Sequence, residues 1–362
     1  PPESPGDWSH NAIDEFVAAK LNEENITPAP RADADTLIRR LYFDLLGVPP
    51  SPEEISDFTF QISNHESEFS NSKSQISDLV NKLLDDPRYG EHWGRYWLDI
   101  VRYAESDGFR ADTYRDNAWR YRDYVINAFN NDKPYDRFVH EQLAGDEFAP
   151  DTAEALVATG YLRTYLYEYN QRDARTQWQD ILNQVTDVTG EAFLGLGVGC
   201  ARCHDHKFDP ILQKDYYRLR AAFGTMIPRD DIPAADLVDR QRYRTEYEDW
   251  LAKGVELRAE RQRLQKPYSE KSAKAATIMF PEDIQVIMAK SSQQRNPLET
   301  QLADLVNRQI LFEEERIKYN DEDKKRIDEL TKQIAELAGE EPSMLPTAIT
   351  VADVWSEPFP LH

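Results

Sequence analysis

Cysteine is almost missing from this 362-residue chain: there are two, Cys200 and Cys203, three positions apart. That count excludes a disulfide-stapled scaffold, which needs several paired cysteines spread along a small domain. Long apolar runs are missing as well. The greasiest stretch, AFLGLGVGCA at 192–201, is too short to cross a bilayer as a helix. Bases are scarce relative to acids, 43 Lys and Arg against 66 Asp and Glu, which leaves a formal net charge of −23. A surface of that sign repels polyanions, so it argues against nucleic acid and anionic membranes as partners and favours a basic one. Clean apolar–polar alternation is missing from the first 230 or so residues, so any sheet there is small. The start at Pro1 lacks an initiator Met, a charged n-region and an apolar h-region, and reads as a mature form or an excised segment. Location must then be read from the cysteine chemistry.

What the chain does contain is core-forming material, 40% apolar and 11% aromatic residues. At 42.0 kDa it is large enough for two or three structural units, and a mean hydropathy of −0.72 leaves room for long solvated helices. The fold class expected is mainly α. Residues 11–22 place Ile13, Phe16, Val17 and Leu21 on one helical stripe. Asp35 precedes a helix with Leu37, Ile38, Leu41 and Leu45 on one face, stopped by Gly47 and the prolines after it. Ser51 with Pro52 and two glutamates opens the next. A helix over 73–85 follows, then one over 88–105 with Trp93, Trp97, Ile100 and Val101 as its buried stripe. Further helices are predicted at 116–130, 134–144, 150–160, 173–195 and 213–223.

Three regions emerge: a multi-helix domain over 1–230, a charge-dense segment over 231–340 and a tail over 341–362. In the second, Leu298, Leu302 and Leu305, then Ile327, Leu330, Ile334 and Leu337, keep a three–four rhythm, while Pro267 and Pro281 interrupt the middle. This predicts a helical hairpin or antiparallel coiled coil projecting from the core as a spacer. In the tail, Thr347–Trp355 has the β-branched character of a strand, either the first of a further domain or an edge strand on the helical core.

Chemistry concentrates in LGLGVGCARCHDHKFDPILQKD, residues 194–215, where Cys200, Cys203 and His204 form a CxxCH sequence. Two thiols three residues apart on a turn can each add across one haem vinyl group, and the next imidazole then reaches the iron as axial ligand. Gly195, Gly197 and Gly199 would permit the close backbone approach that a flat macrocycle requires. Two other readings compete. A zinc site could use Cys200, Cys203, His204 and His206, though tetrahedral sites draw their ligands from two separated segments. A redox-active CxxC of thioredoxin type would want an α/β context that is missing here.

The resemblance of the whole N-terminal region then matters. NAIDEFVAAKL, TLIRRLYFDLLGVPPSPEEI, PRYGEHWGRYWLDIVRYAESDGF, NAWRYRDYVINAFNNDKPYDRFVHEQLAGD and GCARCHDHKFDPI with DYYRL, over about residues 10–224, resemble the second of the two cytochrome-like domain families first named from planctomycete proteins. The resemblance implies a c-type haem, export, and a place in large multidomain proteins with a conserved domain directly downstream. It would make Cys200 and Cys203 the thioether sites and His204 the axial ligand, and it leaves the segment after 237 unmatched.

His206, two residues from His204, cannot reach the opposite face of the same iron and is expected to order the loop with Asp205 and Asp209, or to bond a propionate or carboxylate. Distal candidates are His92, His140 and Met226; His10, His65 and His362 lie in chain ends or polar loops. Arg102, Tyr103, Glu105, Asp107, Arg120, Arg122 and Asp123, with Asp99, read either as a buried ion-pair network or as a source of one arginine for a haem propionate. EQLAGD, Glu141–Asp146, reads as a helix end without chemistry. The functional expectation is a c-type haem module carrying single electrons, with the downstream domain and a redox protein as partners. The alternatives are an oxidative or peroxidase-like haem enzyme, with carbohydrate one candidate substrate class, and a helical scaffold whose cysteines are metal-bound or idle. Because thioether attachment takes place outside the bacterial cytoplasm, the haem reading implies a periplasmic or other extracytoplasmic location.

Overall fold

The computed structural model describes residues 9, 11–29, 32–63, 69–169, 171–314, 317–339 and 341–355, without the side chains of 61–63, 69–73 and 311–314. Fifteen α-helices and one two-stranded antiparallel sheet make up the regular structure among these residues, so the fold is mainly α. The chain divides into two compact units, Pro1–His92 and Trp93–His362.

The first unit is built on α2 (Ala34–Leu46), α3 (Pro52–Ser63) and α4 (Phe69–Leu84), preceded by α1 (Ala12–Glu23). Asp33 caps α2 by accepting the Thr36 amide at 2.7 Å, and Gly47 ends it in the left-handed conformation at φ 70°. Of the expected stripe Ile38 is buried and Leu37, Leu41 and Leu45 pack partly buried against the same cluster, which Tyr42 and Leu46 join. Phe58 and Leu83 complete that cluster. The helix start expected at Ser51 is found, and Ser51 and Glu54 form a reciprocal cap there. The apolar stripe expected on α1 is not a core stripe. Ile13 is 74% exposed, Phe16 and Val17 are exposed too, and Ala18 is the buried residue of this helix.

In the second unit, α9 (Ala174–Leu194) is the central element. Trp178, Ile181, Leu182, Val185 and Val188 are buried along it, and a fully buried side chain of this size contributes roughly 1.5–3 kcal/mol. Thr186 and Thr189 are buried because each hydroxyl donates to the carbonyl four residues back, at 2.7 Å. Residues of α5 (Arg88–Ile100), α6 (Trp119–Asn130), α7 (Tyr135–Phe148) and α8 (Ala153–Ala158), followed by a 3-10 turn at Thr159–Arg163, share its hydrophobic core. On α5 the buried large side chain is Trp97, joined just beyond its end by Val101, with Gly90 and Gly94 buried as well. Trp93 and Ile100, expected beside them, are exposed. Trp97 is held by Gln142 Oε1, which accepts from its Nε1 at 3.0 Å and from the Tyr121 hydroxyl at 2.6 Å.

After α10 (Gln213–Ala221) the chain forms β1 (Met226–Arg229), and at the far end β2 (Thr350–Asp353) returns to pair with it, Met226 opposite Asp353 and Arg229 opposite Thr350. The terminal strand therefore lies against the helical core. Between them run α11 (Leu237–Ala252), α12 (Val255–Thr277), α13 (Glu282–Ala289), α14 (Pro297–Glu314) and α15 (Asp321–Ala338). Pro267 sits inside α12 without ending it, contrary to expectation, whereas Pro281 caps α13. Helices α12 and α15 pair antiparallel, with Tyr268 bonded to Asp323 and Arg326 to Glu260 at 2.7 Å, over buried Ile327, Leu330 and Ile334. Ile284 and Ile287 of α13 and Leu302, Leu305 and Val306 of α14 join the same core as Trp178. No helix among the described residues is long and apolar enough to cross a membrane.

Candidate functional site

The CxxCH turn is carried directly by the end of α9. Gly195 closes that helix in the left-handed conformation at φ 64°, and the Leu196 amide returns to the Gly190 carbonyl at 3.0 Å. The glycine at 195 is thus a helix stop, which is sufficient reason for it without a macrocycle. A 3-10 turn over Val198–Arg202 follows, with Cys203 at its end. Val198 and Ala201 point inward and pack with Tyr216 of α10, while Cys200 and Cys203 are free thiols on the exposed side. The turn is also pinned from α10: Gln213 Nε2 and the Tyr217 hydroxyl both donate to the Arg202 carbonyl at 3.2 Å. Beneath it, Asp187 of α9 approaches Gly199 and lies 3.9 Å from Arg202. Asp187 and Tyr216 were not singled out from sequence; Asp187 lies on the α9 face that receives the turn, three residues before Gly190.

The two histidines of this loop are held by different contacts. His204 Nδ1 lies 2.8 Å from the Asp205 carbonyl oxygen, a contact that requires Nδ1 to carry the proton. Its Nε2 therefore keeps the lone pair, and the ring is exposed. His206 Nδ1 instead lies 2.9 Å from the Asp209 amide, 3.3 Å from the Phe208 amide and 3.2 Å from the Asp209 carboxylate. With the Asp205 carboxylate accepting the Gln213 amide at 2.8 Å, His206 and Asp205 hold the loop in shape. Among the described residues no three His, Cys, Asp or Glu side chains converge as an ion-binding group, so the zinc set of Cys200, Cys203, His204 and His206 is not assembled.

The distal candidates lie in other surroundings. His92 packs over Gly47 in the first unit, so closely that a methyl group on that glycine would come within 2.2 Å of Nδ1. His140 stacks on Phe148, ring centroids 5.5 Å apart. Met226 is buried in the main core of the second unit. His10, His65 and His362 lie outside the described residues.

The arginine constellation separates into distinct parts. Arg122 is paired with Glu105 at 2.7 Å and Asp123 at 3.0 Å, and Glu105 also accepts the Tyr103 hydroxyl. Arg115 pairs with buried Asp107 at 2.5 Å, and Arg120 donates to the Thr347 carbonyl. Asp99 and Arg102 are exposed, so the expectation of a buried pair there is not met: on a helix end the surface supplies water in place of a counterion. Arg102 adopts φ 60° and donates to the Gln184 carbonyl of α9 at 3.0 Å, with no carboxylate in ion-pair range among the described residues. Although the side chain is exposed overall, desolvation of its guanidinium lowers the pKa, opposed by Glu191, Tyr161 and Asp187.

A family model described as PSCyt2, a protein of unknown function (DUF1549), matches residues 12–227. The chain belongs to the PSCyt2 family. This supports the planctomycete cytochrome-domain family expected from the quoted stretches. The PSCyt2 match begins at the start of α1, includes α9 and the whole CxxCH turn, and ends inside β1; α11 to α15 and β2 fall outside it. No curated protein and no solved structure matches the chain.

Proposed function

We propose that the turn at 198–204 holds a covalently attached haem, through thioether bonds at Cys200 and Cys203 and His204 Nε2 as axial ligand. The domain would then carry single electrons within a larger exported protein. The observation that carries this reading is the state of His204, exposed beside two free thiols with Nδ1 donating to a backbone carbonyl. That bond fixes the ring and leaves Nε2 as the ligating atom. When bound, the iron supplies a one-electron couple. The rest is done by the chain: Val198, Ala201 and Tyr216 hold the turn rigid from below, and Leu194, Leu196, Phe208 and Leu212 stand exposed in the same segment, an apolar fringe suited to a porphyrin face. Of Arg102, Arg120 and Arg122, Arg102 has no carboxylate in ion-pair range among the described residues and Arg120 donates to a backbone carbonyl, so Arg102 is the candidate to neutralise a propionate. A downstream domain of the same polypeptide and a basic redox protein are the partners in this reading, and periplasmic or other extracytoplasmic maturation its setting.

A second reading, an oxidative or peroxidase-like haem enzyme, is favoured by one observation: Met226 and His140 are engaged elsewhere, which suits an iron with an open side. The test is to produce the chain with haem-attachment machinery and record pyridine haemochrome spectra and intact mass. Attached haem, lost in the Cys200→Ala/Cys203→Ala variant, is the expected result. Natively exported material with the bare polypeptide mass and no haem absorbance would overturn both readings. Cyanide and carbon monoxide binding then separates a six-coordinate carrier from an enzyme.

A further inference from the structure

A second site lies in the 93–362 unit and does not depend on the haem reading. Residues 105–115 form a hairpin-like loop, with the Arg115 amide bonded to the Glu105 carbonyl at 2.9 Å and the Asp107 amide to the Thr113 carbonyl at 2.8 Å. Phe109 and Asp112 in this loop hold positive φ, 60° and 46°, without being glycine. Two such residues within four positions mark a loop whose shape is over-determined by its surroundings, a feature that concentrates at ligand sites. The loop closes one side of a polar cavity of about 180 Å³, whose other walls come from the 163–169 segment, Asp230 after β1, Arg308 of α14 and Ile349 before β2.

The floor of this cavity is an electrically balanced network. Arg115 is saturated by Asp107 and by the carbonyls of Arg163 and Tyr165. Arg308 is bonded to Asp304, Asp230 and the Pro228 carbonyl, and Arg163 shares Asp230 with it. These guanidiniums hold the cavity open, and buried Arg163 Nε is left as a donor without a hydrogen-bond partner among the described residues. Other groups on the wall make no hydrogen bond among the described residues: the Tyr165 hydroxyl, which interacts electrostatically with Arg163 and Arg308, the Tyr114 hydroxyl, the Asp116 carboxylate and the Asn117 side-chain carbonyl oxygen. The Tyr114 ring stands exposed at the rim.

We propose that this cavity binds a neutral polyhydroxylated molecule, a sugar ring or a comparable polyol. An anion would meet Asp107, Asp116 and Asp230, and a cation would meet three arginines. An apolar ligand would strip water from the hydroxyls and carboxylate without replacing its bonds. A polyol presents donors and acceptors on its edge, matching the free groups on the wall, and a C–H face that can lie on the Tyr114 ring.

The test is isothermal titration of the full chain with D-glucose, D-galactose, D-mannose and D-xylose, with D-glucuronate as the charged comparison. It is repeated for Tyr165→Phe, which removes only a hydroxyl, and Tyr114→Ala, which removes the rim ring. At least one neutral sugar is expected to saturate, with affinity reduced threefold or more in both variants. The proposal is overturned if none of the four saturates, if either variant loses less than threefold, or if D-glucuronate binds more tightly than D-glucose. Thermal melts accompany each variant, and Asp116→Asn at the exposed rim replaces either one that melts early, judged by the same threefold criterion.

Discussion

Gly190 and Val198 are in such close contact that a methyl group on Gly190 would come within 2.5 Å of Val198 Cγ2. This contact seats the CxxCH turn on α9. A β-branched side chain has little rotameric freedom to move away, so Gly190→Ala must displace the turn. The helix gains about 1 kcal/mol from losing a glycine, whereas overpacking costs about 1–3 kcal/mol. The expected result is a net loss of stability with a lowered yield of haem attachment, and recovery of both in Gly190→Ala/Val198→Ala. Chemical denaturation and the haem-to-protein absorbance ratio read the two effects, and a single variant with unchanged values in both would show that the seat is not needed.

Much of this architecture is legible in the residues themselves. The caps at Ser51 and Gly47 are local events, and the CxxCH chemistry lies within five adjacent positions, so no tertiary information was needed to find them. Other features are not local. Periodicity shows that α1 and α5 have apolar residues on one side but not whether anything covers them, and Ile13, Trp93 and Ile100 remain exposed. The pairing of Gln309 with Gln177 and of Arg308 with Asp230 joins α14 to chain far upstream, and the sequence of α14 carries no mark of either partner. Arginine, aspartate and tyrosine are common surface residues. Tertiary placement alone distinguishes the walls of the polar cavity from an ordinary solvated face.

Arg102 and Arg122 differ in their counterions, and this difference is measurable. Arg122 is neutralised locally by Glu105 and Asp123, so Arg122→Leu should leave the midpoint potential of the haem-loaded protein unchanged. Arg102 has no such pair. Its removal takes away a positive charge that disfavours the oxidised iron, and the potential should fall by tens of millivolts, where about 59 mV is a tenfold change for one electron. Spectroscopic redox titration makes the comparison, and equal potentials in both variants would remove Arg102 from the propionate role.

Glu141, assigned no chemistry from sequence, is a stability element. Its carboxylate is buried and bonded to Lys133, to Arg137 Nε at 2.7 Å and to the Tyr124 hydroxyl at 3.0 Å. Burial alone would raise its pKa, but these bonds outweigh it and hold the carboxyl below its usual value. A depressed pKa contributes stability that is present above the unfolded value and lost as pH falls through the folded one. Glu141→Gln leaves Lys133, itself 8% exposed at the side chain, with Glu154 alone at 2.8 Å. A loss of about 3–5 kcal/mol is expected at neutral pH, shrinking in acid. Urea denaturation at pH 7 and pH 3.5 checks it; a cost that stays the same at both would point to packing instead of charge.

Asp146 behaves in the opposite sense. It follows a break in α7 at Ala144, where Gly145 lies so near α8 that an added methyl group would come within 2.1 Å of the Ala155 carbonyl oxygen. Burial in this tight helix contact pushes the Asp146 pKa up to about 6, with Glu147 and Asp353 adding to the rise. The folded state therefore holds its proton more firmly than the unfolded chain does. Stability from this group is fully present below pH 3.8, falls as pH rises from there to about 6, and stays reduced above that. A shift of this size corresponds to roughly 2–3 kcal/mol at most. Asp146→Asn keeps the shape and discards the charge, so it should be more stable than the parent at pH 7.5 by about that amount. At pH 4.5, where the parent is largely protonated when folded, most of the difference should vanish. Thermal melts of both proteins at the two pH values decide the matter, since a gap that does not narrow in acid cannot come from ionising this carboxyl.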